Sequence, residues 1–495
     1  MLEALFAGFE TALTFTNLLF IFAGITLGII IGVIPGLGSV TAMAVLIPIT
    51  FYMSPLAAIA FLVGVNKGGT SGGAVPAILL NSPGTPESAA SALDGYPMAQ
   101  KGQAHRAMKF ALYSSVTGDT ISDILLILLV VPFSAIALQF GPLEFTAVLL
   151  FAFVLLSGIA GKSLIKGLIS ISLGVFLSTI GLDPVESTQR MTFGEVHLYD
   201  GFSLAAIAIG ALALASVIEQ LFDLWRSGGE SFTTVQLKYA QSKSNLSAKE
   251  FFGYWKTIGR SALIGSMVGM LPGLGVTLAA FLSYGATRRA SSDPDSFGRG
   301  NPEGIIATEA ANSAVVGSNL IPTIALGIPG NMAAALLLGA FIIHGIVPGP
   351  FMLTMHGDLI YALFASMILA NGIHLIVGRV GIPVWGLVSR TPKSIILPPV
   401  VVLCIVGVYL PGQSLFDVSV MLAFAGLGLV MRRTGFSLVC LVIGFLLGGM
   451  LETSLRQALL LYKTDVSVLL ESPIALAFLC LVIVILGRSA FKAKK

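Results

Sequence analysis

The chain has 495 residues, of which 56% are hydrophobic and only 10% charged, against roughly 25% charged in soluble proteins. Its mean hydropathy of +0.94 excludes a soluble globular protein, and a net charge of +3 spread over loops gives no electrostatic case for nucleic-acid binding. A spanning helix needs roughly 20 apolar residues and about a dozen segments qualify, so the expected fold class is all-α and polytopic in the membrane.

Residues 1–15 carry Glu3 and Glu10 but no base, and the first Lys or Arg is Lys67. Without a basic start before the apolar run, the N-terminus does not read as a cleaved signal. Apolar arms at 16–34 and 37–52 flank Pro35-Gly36 inside Gly32-Val33-Ile34-Pro35-Gly36-Leu37-Gly38. Proline removes a backbone donor and clashes with the preceding turn, so a Pro-Gly pair breaks a spanning helix. Next comes Asn66-Lys67-Gly68-Gly69-Thr70-Ser71-Gly72-Gly73, a polar glycine-rich run expected not to be plain helix. A second break follows at Ser82-Pro83-Gly84-Thr85-Pro86-Glu87, and Asp94-Gly95-Tyr96-Pro97 is expected to end a short helix. Spans are expected near 110–135, 143–160, 164–181 and 201–222, with an acidic loop at 182–200.

The loop 223–260 is the largest polar segment and reads as the hinge of the chain. We therefore expect a first repeat over 1–222, a cytoplasmic linker over 223–258 and a second repeat over 259–495. The second half has arms at 261–271 and 274–287 around Pro272-Gly273, a basic loop with Arg288, Arg289 and Arg299, and a span at 304–327. Pro329-Gly330 and 331–347 come after it. Later spans fall near 358–378, 395–410, 415–431, 435–451 and 473–487.

The two halves match in order. Pro35 and Pro272 are 237 residues apart; Asn66 and Asn312, Pro76 and Pro322, Ile78 and Ile324, Leu80 and Leu326, and Pro83 and Pro329 are each 246 apart. Basic loops lie on the cytoplasmic side, which puts 99–109, 223–260, 288–303, 379–393, 432–433 and the C-terminus inside. The arms 261–287 have basic loops at both ends, whereas 16–52 have none. The repeats are therefore expected to be inverted, with broken or re-entrant helices at Pro35-Gly36, Pro83-Gly84, Pro272-Gly273 and Pro329-Gly330. Matched breaks in two halves of an apolar chain point to a transporter's binding site. The plain alternative is a set of kinks that only shape packing.

A half-helix start offers unpaired amides and a positive dipole end, which suits a carboxylate. Ser39, Thr41, Thr85, Thr277 and Asn331 follow the breaks. The candidate substrate-binding residues are Asn66, Lys67, Thr70, Ser71, Ser82, Thr85, Asn312, Thr323 and Asn331. An ammonium at membrane depth needs a partner or a cavity. Lys67 could hold a substrate carboxylate, snorkel to an interface, or pair with Glu87 or another acid. The coupling-ion candidates, for sodium or a proton, are Glu87, Asp119, Asp123 and Glu309. Asp119 and Asp123 lie one turn apart, and Asp94 could instead cap a loop. Isolated histidines such as His344, His356 and His374 read as loop or packing residues. Cys404, Cys440 and Cys480 show no metal or redox spacing. There is no H-E-x-x-H, G-x-S-x-G or Walker A motif, so we expect no enzyme, no metal site and no cofactor beyond a coupling ion.

Several strings are more specific. Gly32 to Gly38, Leu80-Asn81-Ser82-Pro83-Gly84, Leu93-Asp94-Gly95-Tyr96-Pro97-Met98-Ala99, Pro302-Glu303-Gly304, Glu309-Ala310-Ala311-Asn312, Ile321-Pro322-Thr323, Leu326-Gly327-Ile328-Pro329-Gly330 and Ile343-His344-Gly345 through Pro348-Gly349-Pro350 run in order along the chain. Together they resemble the large membrane (TctA-type) permease subunit of the tripartite tricarboxylate transporter family. The resemblance implies carboxylate uptake across a bacterial inner membrane, driven by an ion gradient. It also implies a small four-span membrane subunit and a periplasmic substrate-binding protein as partners. Where the family usually has an uncharged Tyr- and Gly-rich stretch, this chain has Asn66-Lys67-Gly68-Gly69-Thr70-Ser71, so the resemblance does not carry citrate over as the substrate. The alternative class is a channel or a non-transporting membrane scaffold, which would lack saturation and ion coupling.

Overall fold

The computed structural model describes residues 2–159, 163–183, 186–226, 246–388, 391, 393–462 and 472–493. Most of the expected linker, 227–245 with Lys238 and Lys243, and the terminal Lys494 and Lys495 lie outside the described residues.

The described chain is almost entirely helical. The first half contains α1 (Leu2–Ala12), α2 (Phe15–Gly32), α3 (Gly38–Leu46), α4 (Pro55–Gly72), α5 (Ala74–Leu80), α6 (Ser88–Met98), α7 (Ala104–Ala137), α8 (Pro142–Ile159), α9 (Leu164–Ser178), α10 (Leu204–Ala208) and α11 (Ala215–Arg226). The second contains α12 (Ala248–Phe252), α13 (Trp255–Met270), α14 (Gly275–Ala290), α15 (Pro302–Ser318), α16 (Leu320–Leu326), α17 (Met332–Ile343), α18 (Met352–Met355), α19 (Gly357–Val388), α20 (Lys393–Gly412), α21 (Leu415–Thr434), α22 (Leu438–Tyr462) and α23 (Pro473–Ala493). Among the described residues, 7 helical stretches are long and apolar enough to cross a membrane, and several shorter apolar helices accompany them. The acidic loop at 182–200 holds a short antiparallel ladder, Gly181–Leu182 against Gln189–Arg190, which the sequence did not suggest.

Several positions that match in sequence between the two halves take similar backbone conformations. α2 stops at Gly32 and α13 at Met270. The two turns that follow use left-handed glycines at Gly36 and Gly38 (φ 91° and 59°) and at Gly273 and Gly275 (φ 88° and 74°). Only glycine takes that conformation without strain. The next pair of helices, α4 and α15, cross α2 and α13 so closely that a Cβ on Gly28 would meet the Val65 carbonyl and one on Gly265 the Ala311 carbonyl. These contacts keep the offsets of 237 and 246 seen in the sequence. The short helices α5 and α16 both end on left-handed residues, Asn81 (φ 54°) and Gly327 (φ 69°), again 246 apart.

Three sequence expectations are corrected here. Asn66 to Gly72 is helix, the last turns of α4. Glycine's cost in a helix is about 1 kcal/mol each, and here Gly64, Gly68 and Gly72 are the points at which the α2 backbone comes close. The run is therefore a packing surface, and its Lys67 and Ser71 side chains find partners. Conversely, 304–327 is not one span: α15 ends at Ser318 and α16 begins at Leu320. Pro76 and Pro322 each sit in the first turn of a short helix, where a missing N–H costs little, so the breaks fall just ahead of them. The arm expected from 261 also starts earlier, at Trp255.

One end of the molecule gathers the basic loops. Lys101 Nζ donates to the Arg299 carbonyl at 2.6 Å, Arg106 pairs with Glu250, and Tyr254 packs edge-on against Phe110. Asp94 Oδ1 accepts from the backbone N–H of Gly298, Gly300 and Asn301 at 2.9, 2.9 and 2.8 Å, and Tyr284 donates its hydroxyl to Oδ2 at 2.9 Å. This ties α6 to the start of α15. The loop with the β-ladder is tied to the end of α22 by Arg190–Glu452 (2.7 Å) and Arg456–Asp183 (2.9 Å). Cys404 and Cys440 are buried and Cys480 is exposed.

Candidate functional site

The breaks come together in pairs. A Cβ on Gly84 would meet the Gly32 carbonyl, and Gly84 N donates to Gly73 O at 3.2 Å. In the second half, Gly273 N donates to Gly330 O at 2.8 Å, and a Cβ on Gly330 would lie 2.9 Å from Gly269 O. Both pairs then open onto one cavity of about 950 Å3, whose wall includes Gly36 to Thr41, Pro83 to Glu87, Gly273 to Thr277 and Asn331 to Ala333. That is the size class of small-molecule sites.

Four helices begin on or beside this wall: α3 at Gly38, α6 just past Glu87, α14 at Gly275 and α17 at Met332. Each start has amides without intrahelical partners and a positive dipole end. Hydroxyl and amide side chains stand among them: Ser39, Thr41, Asn66, Thr70, Thr85, Thr277 and Asn331. Thr85 Oγ1 lies 2.5 Å from Ser88 Oγ. Asn331 Oδ1 caps α17 by accepting from Ala334 N at 2.9 Å, which leaves its amide NH2 as the donor for a ligand. Such a wall suits a carboxylate through neutral donors and dipole ends, with Glu87 and Arg432 as the charged side chains on it.

Not every expected residue is on the wall. Asn66, Thr70, Thr85 and Asn331 are. Ser82 is half-buried and off it. Asn312 is buried, with both amide atoms unpartnered, one turn before Val316, which does reach the cavity. Thr323 is buried and donates to Asn319 O at 2.7 Å. Lys67 and Ser71 lie off the wall on an adjoining face of α4. Lys67 Nζ donates to Asp123 Oδ2 and to Asn371 Oδ1, both at 2.6 Å, and stands 3.9 Å from Asp119 Oδ1. Ser71 Oγ is 2.6 Å from His374 Nε2. Of the coupling-ion candidates, Glu87 is on the wall, Asp119 and Asp123 are with Lys67, and Glu309 is buried on Ser91 and on Ser115 (3.1 Å). Of the break residues, Gly36, Pro83, Gly84 and Gly273 line the cavity, while Pro35, Pro272, Pro329 and Gly330 stand behind it.

The structure adds residues that sequence reasoning passed over. Arg432 reaches the cavity from the last turn of α21, Ser437 from the loop before α22 and Ser216 from α11. Arg432 is held by Glu219 at 3.0 Å and by the Leu212 carbonyl at 3.3 Å. Asn371 and His374 were legible only as a polar pair three apart in an apolar span, and His374 is a hydrogen-bonding residue here and not mere packing.

The sequence profile of the tripartite tricarboxylate transporter TctA family matches residues 18–443. The chain belongs to this family. It is therefore a multi-pass membrane protein and the large membrane subunit of a tripartite tricarboxylate transporter, and its class is transport. An uncharacterized 52.8 kDa protein in the TAR-I ttuC' 3' region of Agrobacterium vitis is 35% identical over 500 residues, covering 100% of this chain and 98% of the relative. An uncharacterized protein in the TAR-II ttuC' 3' region of the same organism is 36% identical over 215 residues, 43% of this chain and 89% of the relative. No solved structure matches the chain.

Proposed function

We propose that the protein is an ion-coupled secondary permease that takes up an organic polycarboxylate across the inner membrane, with its C-terminus in the cytoplasm. It works with a small four-span membrane subunit and a periplasmic substrate-binding protein. The observation that carries the substrate class is the convergence of four helix N-termini on one cavity. Neutral donors and dipole ends hold an anion without many fixed charges, which keeps binding reversible.

Uptake kinetics in proteoliposomes holding the whole assembly test the site. Thr85 and Asn331 come from different halves and share the cavity. Losing one donor to a buried anion costs about 1–3 kcal/mol, so Thr85→Ala and Asn331→Ala are each expected to raise the half-saturation concentration roughly tenfold or more. Their double mutant is expected to depart from additivity, because both touch one ligand. Unchanged half-saturation in both would remove the cavity from consideration. Flux that never saturates would point to a channel.

The same reading makes the two repeats inverted. Supporting it, the basic segments at 101–109 and 288–303 occupy non-equivalent positions of the repeats, yet they touch through Lys101 and Arg299. Both are basic, so both belong inside. Single cysteines placed at exposed positions of each are expected to label only from the cytoplasm; labelling of either from the periplasm would end the inverted arrangement.

A further inference from the structure

We infer that Lys67, Asp119, Asp123 and His374 form a buried site for one exchangeable proton, and that this site couples proton movement to the substrate cavity across α4. The inference deepens the permease reading and rests on it. Sequence alone left the coupling ion open between sodium and a proton, and left four acids as equals.

The geometry separates them. Lys67, Asp119 and His374 are wholly buried and Asp123 nearly so. Asp123 Oδ2 and Asn371 Oδ1 hold the ammonium at 2.6 Å each, and the Asn371 amide donates to the same carboxylate oxygen at 2.8 Å. The seat where two oxygens converge is thus filled by an amine, which excludes a sodium ion from it. Asp119 is different. Neither of its oxygens has a hydrogen-bond partner; Lys67 stands off at 3.9 Å, and His374 Nδ1, itself unpartnered, lies 3.8 Å from Oδ2.

Charge counting gives the capacity. One ammonium against two carboxylates leaves one negative charge with no partner, and an uncompensated buried charge costs several kcal/mol. A single proton on an Asp119 oxygen makes the cluster neutral. When that proton leaves, Lys67 is drawn toward Asp119, so its bonds to Asp123 and Asn371 must change. Lys67 and Ser71 immediately follow Asn66 and Thr70, which line the substrate cavity. Re-pairing of Lys67 therefore acts on the turn of α4 that touches substrate. A route for the proton is present: His374 faces Asp119 through Nδ1 and Ser71 through Nε2, and Ser71 borders a separate cavity of about 30 Å3 beside Met108 and Trp385. A cavity of that size holds a water.

The charged groups of the surrounding helices, among the described residues, are accounted for. α15 brings Glu309, bonded to Ser91 and Ser115. α6 brings Asp94, which is engaged with the loop before α15. Glu303 in the first turn of α15, Glu87 at the start of α6, His105, Arg106 and Lys109 on α7, Asp358 and Arg379 on α19, Lys256 and Arg260 on α13, and Glu3 and Glu10 on α1, which packs on α19, lie further along their helices, and α2, α3, α5, α16 and α17 carry no charged residue.

The test uses the assembled transporter in proteoliposomes at zero membrane potential, with radiolabelled succinate and citrate as probes. Wild type should accumulate whichever probe it exchanges by about tenfold per pH unit for each proton coupled. Asp119→Asn should exchange that probe across the membrane yet accumulate none, its inside-to-outside ratio staying near about 1 at every pH difference. Its melting temperature should equal or exceed that of wild type, because the uncompensated acid is gone. Glu309→Gln, off the cavity wall, should keep pH-driven accumulation. Retained accumulation in Asp119→Asn overturns the inference. So does accumulation driven by a sodium gradient alone, loss of pH-driven accumulation in Glu309→Gln, or an Asp119→Asn protein that melts lower and loses exchange, which would return Asp119 to a structural ion-pair network. Wild-type vesicles with no saturable exchange of either probe would instead refute the permease reading itself.

Discussion

Lys67→Ala is expected to remove the folded protein from the membrane, beyond any weakening of transport. The ammonium is wholly buried and is bonded to Asp123 and Asn371 at 2.6 Å, with Asp119 3.9 Å away. Deleting it leaves two carboxylates facing each other at membrane depth. Breaking a buried pair from one side typically costs about 3–5 kcal/mol, whereas removing both partners is often neutral. Lys67→Ala should therefore lower abundance and melting temperature in detergent, and Lys67→Met combined with Asp123→Asn should recover most of both. Lys67→Arg should recover little, since a planar fork cannot replace a compact ammonium between two oxygens at that distance. A Lys67→Ala protein as abundant and as stable as wild type would show that the two acids find other compensation. Sequence alone left Lys67 open between a substrate contact, snorkelling and pairing with an acid, and a substrate contact would lower transport more than protein amount. The cluster reverses the order of the two effects.

That reversal shows where sequence reading stops. The break after Gly32 and its equivalent after Met270 were legible because proline and glycine act locally on the helix they interrupt. The gathering of Thr85 and Asn331 on one wall was legible in outline because a repeat constrains both halves at once. The helicity of Asn66 to Gly72 was not. Its glycines look like breakers until α2 is seen passing over them, and that contact joins residues such as Ile25 and Gly68 that share no local signal. Lys67's partners are further still: Asp123 is 56 residues away and Asn371 is 304. Side chains that distant are matched only by the packing of α4, α7 and α19. Arg432 entered the cavity wall in the same way, from a turn whose charge read only as an orientation signal.

Asp94→Ala is expected to carry the second large penalty, at a place remote from the cavity. The Leu93-Asp94-Gly95-Tyr96-Pro97 string ends α6, and the bland expectation for Asp94 was a loop cap. The structure gives it a heavier part. One carboxylate oxygen takes three backbone N–H groups, at 2.8–2.9 Å, and the other takes the Tyr284 hydroxyl. The loop so held runs into Asn301, whose side chain caps α15 by accepting from Glu303 N at 2.8 Å. Gly304 passes so close that a Cβ there would meet Asp94 Oδ2, so the carboxylate lies against the first turn of α15, where a negative charge is favoured. α15 in turn carries Glu309 and Asn312 and leads through Asn319 into the second-half break. Hydrogen bonds to a charged group are worth about 1.5–3 kcal/mol each, and buried donors left without an acceptor cost about 1–3 more. These terms overlap, so the net loss for Asp94→Ala should be about 3 kcal/mol or more. Asp94→Asn keeps an acceptor oxygen for the loop amides but loses the charge, and should fall between the two. The readout is melting temperature in detergent together with protease cleavage within 291–301. Faster cleavage of Asp94→Ala there, with a lowered melting temperature, is the expected result. An unchanged melting temperature and cleavage rate would mean that the loop is held by Lys101 on the Arg299 carbonyl and by Tyr284 packed on Phe297, without the carboxylate.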